Sequence, residues 1–335
     1  MLGPGLTVGD AGEDGLVAAL LARYGPAPDW LRVPAGDDAA VLDLPAGGIV
    51  VSTDTLVEGE DFRRAWSGGH DVGVKTAAQN LIDVAAMGAR PLALLVSLAA
   101  PADLPASWAD ALADGLAEEC ARAGAVMVGG DLSAAPQVVV TGTAIGVLDG
   151  LPAVRRAGAR PGDVVALAGP VGRSAAGLAL LSAGRAGDPR FAGLVADHLR
   201  PQPPYGAGPP AARCGATAMI DTSDGLLRDA GRVAAASGVR LDLDPGSLVP
   251  GEELRAAADT LGGDPLAWVL SGGEDHALLA CFPRGVVLPE GFVAIGSVLP
   301  ADGGLAPDGE GEPGVLVGGR AWPGETGWRH FRPHG

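Results

Sequence analysis

The chain has 335 residues, 47% hydrophobic but only 4% aromatic, which is enough apolar material for about two domains of roughly 150 residues with cores of Ala, Val and Leu. Its formal charge of −17 argues against a nucleic-acid partner, because phosphate backbones are held by positive surface. Gly (54) and Pro (28) follow no G-X-Y period, which excludes collagen, and no apolar run reaches the roughly 20 residues of a membrane helix.

Residues 13–24 carry an apolar face and predict a first helix. Gly36-Asp37-Asp38-Ala39-Ala40-Val41-Leu42 turns into a strand, and residues 49–52 read as a short buried strand running into Thr53-Asp54-Thr55. Residues 71–87 predict a helix stopped by Gly88, with Pro91 beyond it. A strand over 92–98 follows. Trp108, Leu112, Leu116 and Cys120 recur every fourth residue and mark an amphipathic helix over 105–123. Residues 125–128 form a strand ending in Gly129-Gly130-Asp131, and 138–147 form another.

Gly150, Pro152, Gly158 and Pro161 punctuate residues 149–161, so the expected domains are 1–149 and 150–335. The second domain opens with a strand over 164–168, a Gly-rich turn and a helix over 174–182. Residues 200–210 are a Pro/Gly-rich connection. A strand over 217–220 ends in Asp221-Thr222-Ser223-Asp224-Gly225, and a helix follows to Ser237, stopped by Gly238. Strands are expected over 239–243, 277–282 and 293–298. Strands and helices mix without a regular βαβ count, so the class is α+β in two domains.

Several common chemistries are missing. There is no G-x-x-x-x-G-K-[ST], no G-x-G-x-x-G, no G-x-S-x-G and no H-E-x-x-H. Cys120, Cys214 and Cys281 are widely spaced and suggest neither zinc nor a disulfide framework. With no basic stretch at residues 1–5, this points to a cytoplasmic protein. His70, His198, His276, His330 and His334 form no obvious triad with Ser or Cys.

What recurs is an apolar strand followed by a small-residue turn carrying Asp: Asp37 and Asp38, Asp54, Asp131, then Asp221 and Asp224. Asp83 adds one from a helix. Any single one could be a turn or cap residue, and Ser223 could cap its helix. Converging carboxylates, however, repel one another unless cations neutralise them, and Mg²⁺ takes oxygen ligands. Lys75, Gln79 and Asp83 lie four apart on one helix face, with Asn80 beside them; this is either a solvated face or a functional one. Of 23 Lys and Arg residues, only Lys75 is lysine. Phosphoryl transfer to a phosphate suits such a set. A phosphate monoester, with a second pKa near ~6, is already anionic at pH 7 and needs no general base.

The ordered set of strings resembles the thiamine-monophosphate kinase family, within the aminoimidazole-ribonucleotide synthetase-like superfamily. The matching segments are Gly36 to Leu42, Ser52 to Gly59, Asn80 to Ala89, Gly129-Gly130-Asp131, Arg156 to Asp163, Ser174 to Leu178, Asp221 to Leu226, Leu270 to Asp275 and Gly327 to Phe331. The resemblance implies a two-domain fold. Its N-terminal mixed α/β domain would carry the strands that join a homodimer, and its C-terminal α+β domain would complete the ATP and substrate site. It implies several Mg²⁺ ions held by Asp38, Thr53, Asp54, Asp83, Asp131, Asp221 and Asp224, with Ser52 nearby. Asp54 and Asp131 are the most critical of these. It implies ATP contacts at Gly130, Asp131, Arg156 and Ser223, and substrate contacts at Asp61, Glu274 and Trp328. The reaction implied is direct transfer of the ATP γ-phosphoryl group to thiamine phosphate.

The sequence departs from the family pattern at three places: Asp61 replaces a His, Pro34-Ala35 replaces Gly-Ile, and Pro204 replaces an Arg. Asp61 could bind Mg²⁺, turn away from the site or face the cationic thiazolium. The alternatives to this family are another ATP-using member of the superfamily or a nucleotide-binding protein without turnover. No Cys precedes Cys120 and none lies near the C-terminus, which argues against the selenophosphate synthetase and hydrogenase-maturation branches.

Overall fold

In a computed structural model, residues 6–23, 27–33, 41–44, 47–301 and 314–328 are described. Gly36 to Ala40, including Asp37 and Asp38, lie outside them, as do His330 and Phe331. The chain divides into two compact units, the first comprising Met1–Val84 and Ala89–Gly150, the second Ala85–Gly88 and Leu151–Gly335.

The first unit begins with α1 (Val8–Leu21), five residues earlier than expected. The cause is a reciprocal cap: the Thr7 amide and hydroxyl donate to Asp10 Oδ2, and the Asp10 amide donates to Thr7 Oγ1. A small hairpin of β1 (Leu31–Val33) and β2 (Val41–Leu42) follows. The main sheet is built from β3 (Ile49–Val57), β4 (Arg90–Ala100), β5 (Val126–Ala134) and β6 (Val139–Val147) in the order β3-β6-β4-β5. All its pairings are antiparallel except β4 with β5.

Helices α2 (Gly69–Ala86), which lies in this unit as far as Val84, and α3 (Ala106–Ala123) cross at glycine. A Cβ on Gly73 would lie 2.1 Å from the Leu112 carbonyl oxygen, and one on Gly115 would lie 2.2 Å from that of His70. Only hydrogen fits there. Against the sheet, Asn80 and Val84 of α2 occupy the space that side chains at Gly142 and Gly146 would need. On the opposite face, Leu31 of β1 packs with Ala93 and Val128.

Two expected strands are longer than their sequence suggested. β3 continues through Asp54 to Val57, and β5 continues through Asp131 to Ala134, so neither Asp ends its strand. β3 is also not buried on both faces, since Ile49 is 53% and Val51 62% exposed. Its length comes from the β6 ladder, which pairs every residue from Ile49 with Val147 to Val57 with Val139.

The second unit carries a six-stranded sheet in the order β12-β9-β11-β7-β10-β8, antiparallel except for β12 with β9. Its strands are β7 (Val164–Ala168), β8 (Ala218–Asp221), β9 (Val239–Leu243), β10 (Leu278–Phe282), β11 (Phe292–Pro300) and β12 (Gly314–Val317). Every residue of β8 and β10 is buried. The helices are α4 (Arg173–Ser182), α5 (Ala192–Leu199), α6 (Gly208–Arg213), α7 (Leu226–Ser237), α8 (Glu252–Leu261) and α9 (Pro265–Ser271). α6 lies partly in the stretch expected to be plain connection, with Pro209 and Pro210 in its first turn, where their missing amide hydrogens cost nothing.

Candidate active site

In the first unit the candidate ligands gather where β3 meets α2. Ser52 and Asp54 share one side of β3 by its two-residue period, alternating with the exposed Val51, Thr53 and Thr55. Ser52 Oγ donates to Asp83 Oδ2 at 2.5 Å, which places that side against α2. The Asp54 amide donates to Asn80 Oδ1 at 2.8 Å, and Asn80 Nδ2 donates to the Thr76 carbonyl at 2.9 Å. Asn80 is thus a buried bracket that fixes the backbone of Asp54. Thr53, on the other side of the strand, gives its hydroxyl hydrogen to the Gly142 carbonyl at 2.7 Å.

The face that carries Lys75 is not solvated. Lys75 is 3% exposed, and Gln79 and Asp83 are half-buried. Lysine is rarely that buried unless its ammonium is paired.

Asp131 stands on the other edge of the sheet. It aligns with Ser97, Thr141 and Thr55, one row away from the register Asp54, Gly142, Val96, Gly130. Its Oδ2 accepts from Ser133 Oγ at 3.0 Å. Three strand spacings of about 4.8 Å separate β3 from β5, so Asp54 and Asp131 lie roughly 14 Å apart along the sheet. Among the described residues, no three His, Cys, Asp or Glu side chains gather closely enough to hold a metal ion.

Asp61 turns back on its own loop, where Oδ2 accepts from the Val57 amide at 2.8 Å. The arginines that follow engage other groups, Arg64 reaching Glu58 and Arg63 lying over the Trp66 ring at 4.6 Å.

In the second unit Asp221 does end its strand, and its Oδ2 lies 3.2 Å from His276 Nδ1. Asp224 is engaged by two guanidinium groups, Arg228 Nε at 3.1 Å and Arg232. Ser223 does not cap α7. The amides of Asp224 and Gly225 instead donate to Asp229 Oδ2 at 3.0 and 3.2 Å. Asp229 is fully buried, and that burial, reinforced by the charge of Asp221 and opposed by Arg232, pushes its carboxyl up to about 7.

Ser223 is half-buried, and its carbonyl accepts from the Glu274 amide at 2.8 Å. Glu274 and His276 both have left-handed backbone, with φ of 62° and 54°. Asp275 between them accepts from the amides of Gly172 at 2.5 Å and Ser174 at 2.8 Å, and burial pushes its carboxyl up to about 7 against those bonds. Trp328 is 45% exposed, so it is no core anchor, and its amide donates to the Asp224 carbonyl at 2.8 Å. Arg156 is exposed, and its carbonyl accepts from Ser237 Oγ at 3.2 Å. A cavity of about 250 Å³ in this unit is lined by Pro170, Arg173, Asp197, Pro201, Gln202 and Asp275.

The structure therefore joins Ser52 with Asp83, and brings Ser223, Asp224, Glu274 and Trp328 together through backbone contacts. Three contributors escaped the sequence reading. Asp229 lies in the first turn of α7, five residues after Asp224, and was readable as an N-terminal helix acid. Asp275 lies inside a matched string. His198 carried no signal.

Residues 36–148 match the AIR synthase related protein N-terminal domain, and residues 160–281 match the C-terminal domain of the same family. The thiamine-monophosphate kinase of Mycobacterium tuberculosis is 50% identical over 312 residues, 93% of this chain and 89% of that protein. That of Corynebacterium glutamicum is 42% identical over 88% of each chain. A solved structure described as AaThiL complexed with AMPPCP and TMP superposes with a TM-score of 0.77 at 30% identity, covering 98% of this chain and all of that one. Hydrogenase maturation protein HypE in complex with ATP shares the fold alone, at 22% identity and a TM-score of 0.65 over 90% of this chain and 88% of that one. With both domains matched and half of its residues identical to a curated relative over most of its length, the chain belongs to the thiamine-monophosphate kinase family.

Proposed function

We infer that this chain transfers the γ-phosphoryl group of ATP directly to thiamine phosphate, giving ADP and thiamine diphosphate. The observation that carries the reading is the likeness, over 98% of the chain, to the structure described as complexed with AMPPCP and TMP. The bond from the γ-phosphorus to its bridging oxygen breaks, and a bond from that phosphorus to an oxygen of the acceptor phosphate forms. The acceptor oxygen is already anionic at pH 7, so no side chain has to remove a proton. The task is to position two polyanions and cancel their charge.

Mg²⁺ supplies that cancellation when bound, and the donors suit it. Ser52, Asp54 and Asp83 offer only oxygen, the hard ligand Mg²⁺ prefers, with no thiol or imidazole among them. Thr53, Asp131, Asp221, Asp224 and Asp38 complete the proposed set. Asp221 fits better than Asp224, whose carboxylate is already engaged by Arg228 and Arg232. Gly130, Asp131, Arg156 and Ser223 are assigned to ATP. Glu274 and Trp328 are assigned to the substrate, since a carboxylate and an aromatic face suit a cationic thiazolium. Asp61, folded onto Val57, has the weaker claim.

The protein is further proposed to work as a cytoplasmic homodimer joined through first-unit strands. The exposed apolar side of β3 at Ile49 and Val51 supports this. A second copy would also supply an Asp131 edge to the Asp54 edge. No described helix is long and apolar enough to cross a membrane.

The test is incubation of the full chain with ATP, MgCl₂ and thiamine phosphate, with ADP and thiamine diphosphate quantified by chromatography. Equal amounts of both products, absent when either Mg²⁺ or thiamine phosphate is omitted, are expected. ADP without thiamine diphosphate would overturn the reading.

A further inference from the structure

The segment Gly272-Gly273-Glu274-Asp275-His276 is tied down at three consecutive side chains, each by a different element. Asp275 takes the amides that open α4, His276 reaches Asp221, and Glu274 Oε2 lies 3.4 Å from His198 Nδ1 of α5. Left-handed backbone at a non-glycine residue costs energy and persists only where the surroundings fix it, as these contacts do at Glu274 and His276.

His198 is set firmly in this arrangement. Its side chain is 7% exposed, and its Nδ1 also lies 3.0 Å from Ser174 Oγ. A Cβ on Gly177 of α4 would stand 2.8 Å from the His198 Cβ, so α4 packs closely against α5 at His198. Ser174, His198 and Glu274 have the composition of a hydrolytic triad, but the geometry refuses it. A triad places the nucleophile at one ring nitrogen and the acid at the other, whereas here both stand at Nδ1. What remains is a buried donor. With its hydrogen on Nδ1, the ring hydrogen-bonds the Ser174 hydroxyl and turns the positive edge of the imidazole toward the Glu274 carboxylate, 3.4 Å from the same nitrogen. The Glu274 side chain is 34% exposed, so it meets solvent as well as the imidazole.

We propose that His198 is a positioning residue that holds the Glu274 carboxylate for the cationic part of thiamine phosphate. This rests on the assignment of Glu274 to the substrate made above.

The test is a double-mutant cycle on the full chain, using His198→Leu, Glu274→Gln and the pair, with KM measured separately for thiamine phosphate and ATP. His198→Leu is expected to raise KM for thiamine phosphate about tenfold, as the loss of one close polar contact to a charged group would. KM for ATP should stay within about twofold. His198→Asn, whose amide nitrogen falls near the Nδ1 position, should recover most of the loss. In the Glu274→Gln background, His198→Leu should add less than about twofold. Independent, multiplicative effects would overturn the proposal, because His198 would then act through packing alone. Should His198→Leu fold too poorly to assay, His198→Gln, which moves the donor to the Nε2 position, takes its place in the cycle. An unchanged KM in Glu274→Gln alone marks a different failure, that of the substrate assignment itself.

Discussion

The acidic side chains of the two units meet different surroundings. In the first, Asp54, Asp83 and Asp131 are half-buried or exposed, and their neighbours include the hydroxyls of Ser52 and Ser133 and the amide of Asn80. In the second, Asp221, Asp224, Asp229 and Asp275 are all at most 9% exposed, and they meet guanidinium, imidazole and backbone amides. Partly solvated oxygens beside hydroxyls can rearrange around a hard cation at modest cost. Buried carboxylates that hold two backbone amides are part of the scaffold, and moving them exposes unsatisfied donors. The same residue type thus lines a partly solvated, hydroxyl-rich edge in one unit and, at Asp229 and Asp275, fixes loop geometry in the other.

The sharpest way to break that contrast is Asp54→Asn. The amide is isosteric and leaves the backbone bond to Asn80 in place, but removes an anionic ligand. Turnover should fall by roughly 10²- to 10³-fold, the scale of losing one electrostatic contact to the transferring group, while the melting temperature holds. Near-wild-type turnover at low Mg²⁺ would remove Asp54 from the metal set.

Asp275→Asn should give the opposite pattern. Asp275 sits at about 7 because burial outweighs its amide bonds, so the folded protein holds a proton there that the unfolded chain, at 3.8, has released. Stability from this group is therefore fully present below about pH 4 and declines as pH rises to about 7. The Asn variant should lose about 1–3 kcal/mol at pH 5, less at pH 8, and show a flatter dependence between. Thermal melts across that range decide it, and an unchanged slope would mean that Asp275 does not titrate as described.

The smallest effect is expected at Asp61→His. The carboxylate is committed to the Val57 amide, so the variant should lose about 1 kcal/mol of stability and keep turnover within roughly threefold, with unaltered Mg²⁺ dependence. A collapse that extra Mg²⁺ restores would place Asp61 in the metal set instead.

Much of this was legible in the sequence because local signals agreed. The Trp108, Leu112, Leu116, Cys120 spacing marks α3, and Gly124 past its end takes the left-handed cap the pattern asks for. Where the reading failed, the cause was not local. β3 and β5 run through Asp54 and Asp131 because the ladders with β6 and β4 continue, and turn-forming residues in the sequence carry no record of a partner strand. The Lys75 ridge resembles a solvent face by composition, yet the packing of α2 buries it. His198 was invisible because its partners, Ser174 and Glu274, lie 24 and 76 positions away in sequence and meet only through the packing of α4, α5 and the 272–276 segment.

Lys75 has a consequence for how the molecule behaves toward reagents. It is the only side-chain amine in the chain, and it is 3% exposed. An acylating or reductively methylating reagent therefore meets no lysine on the native surface, and Lys75 reacts only when α2 opens. The rate of that single modification, followed by mass spectrometry, would act as a clock for local opening of the helix that carries Asn80 and Asp83.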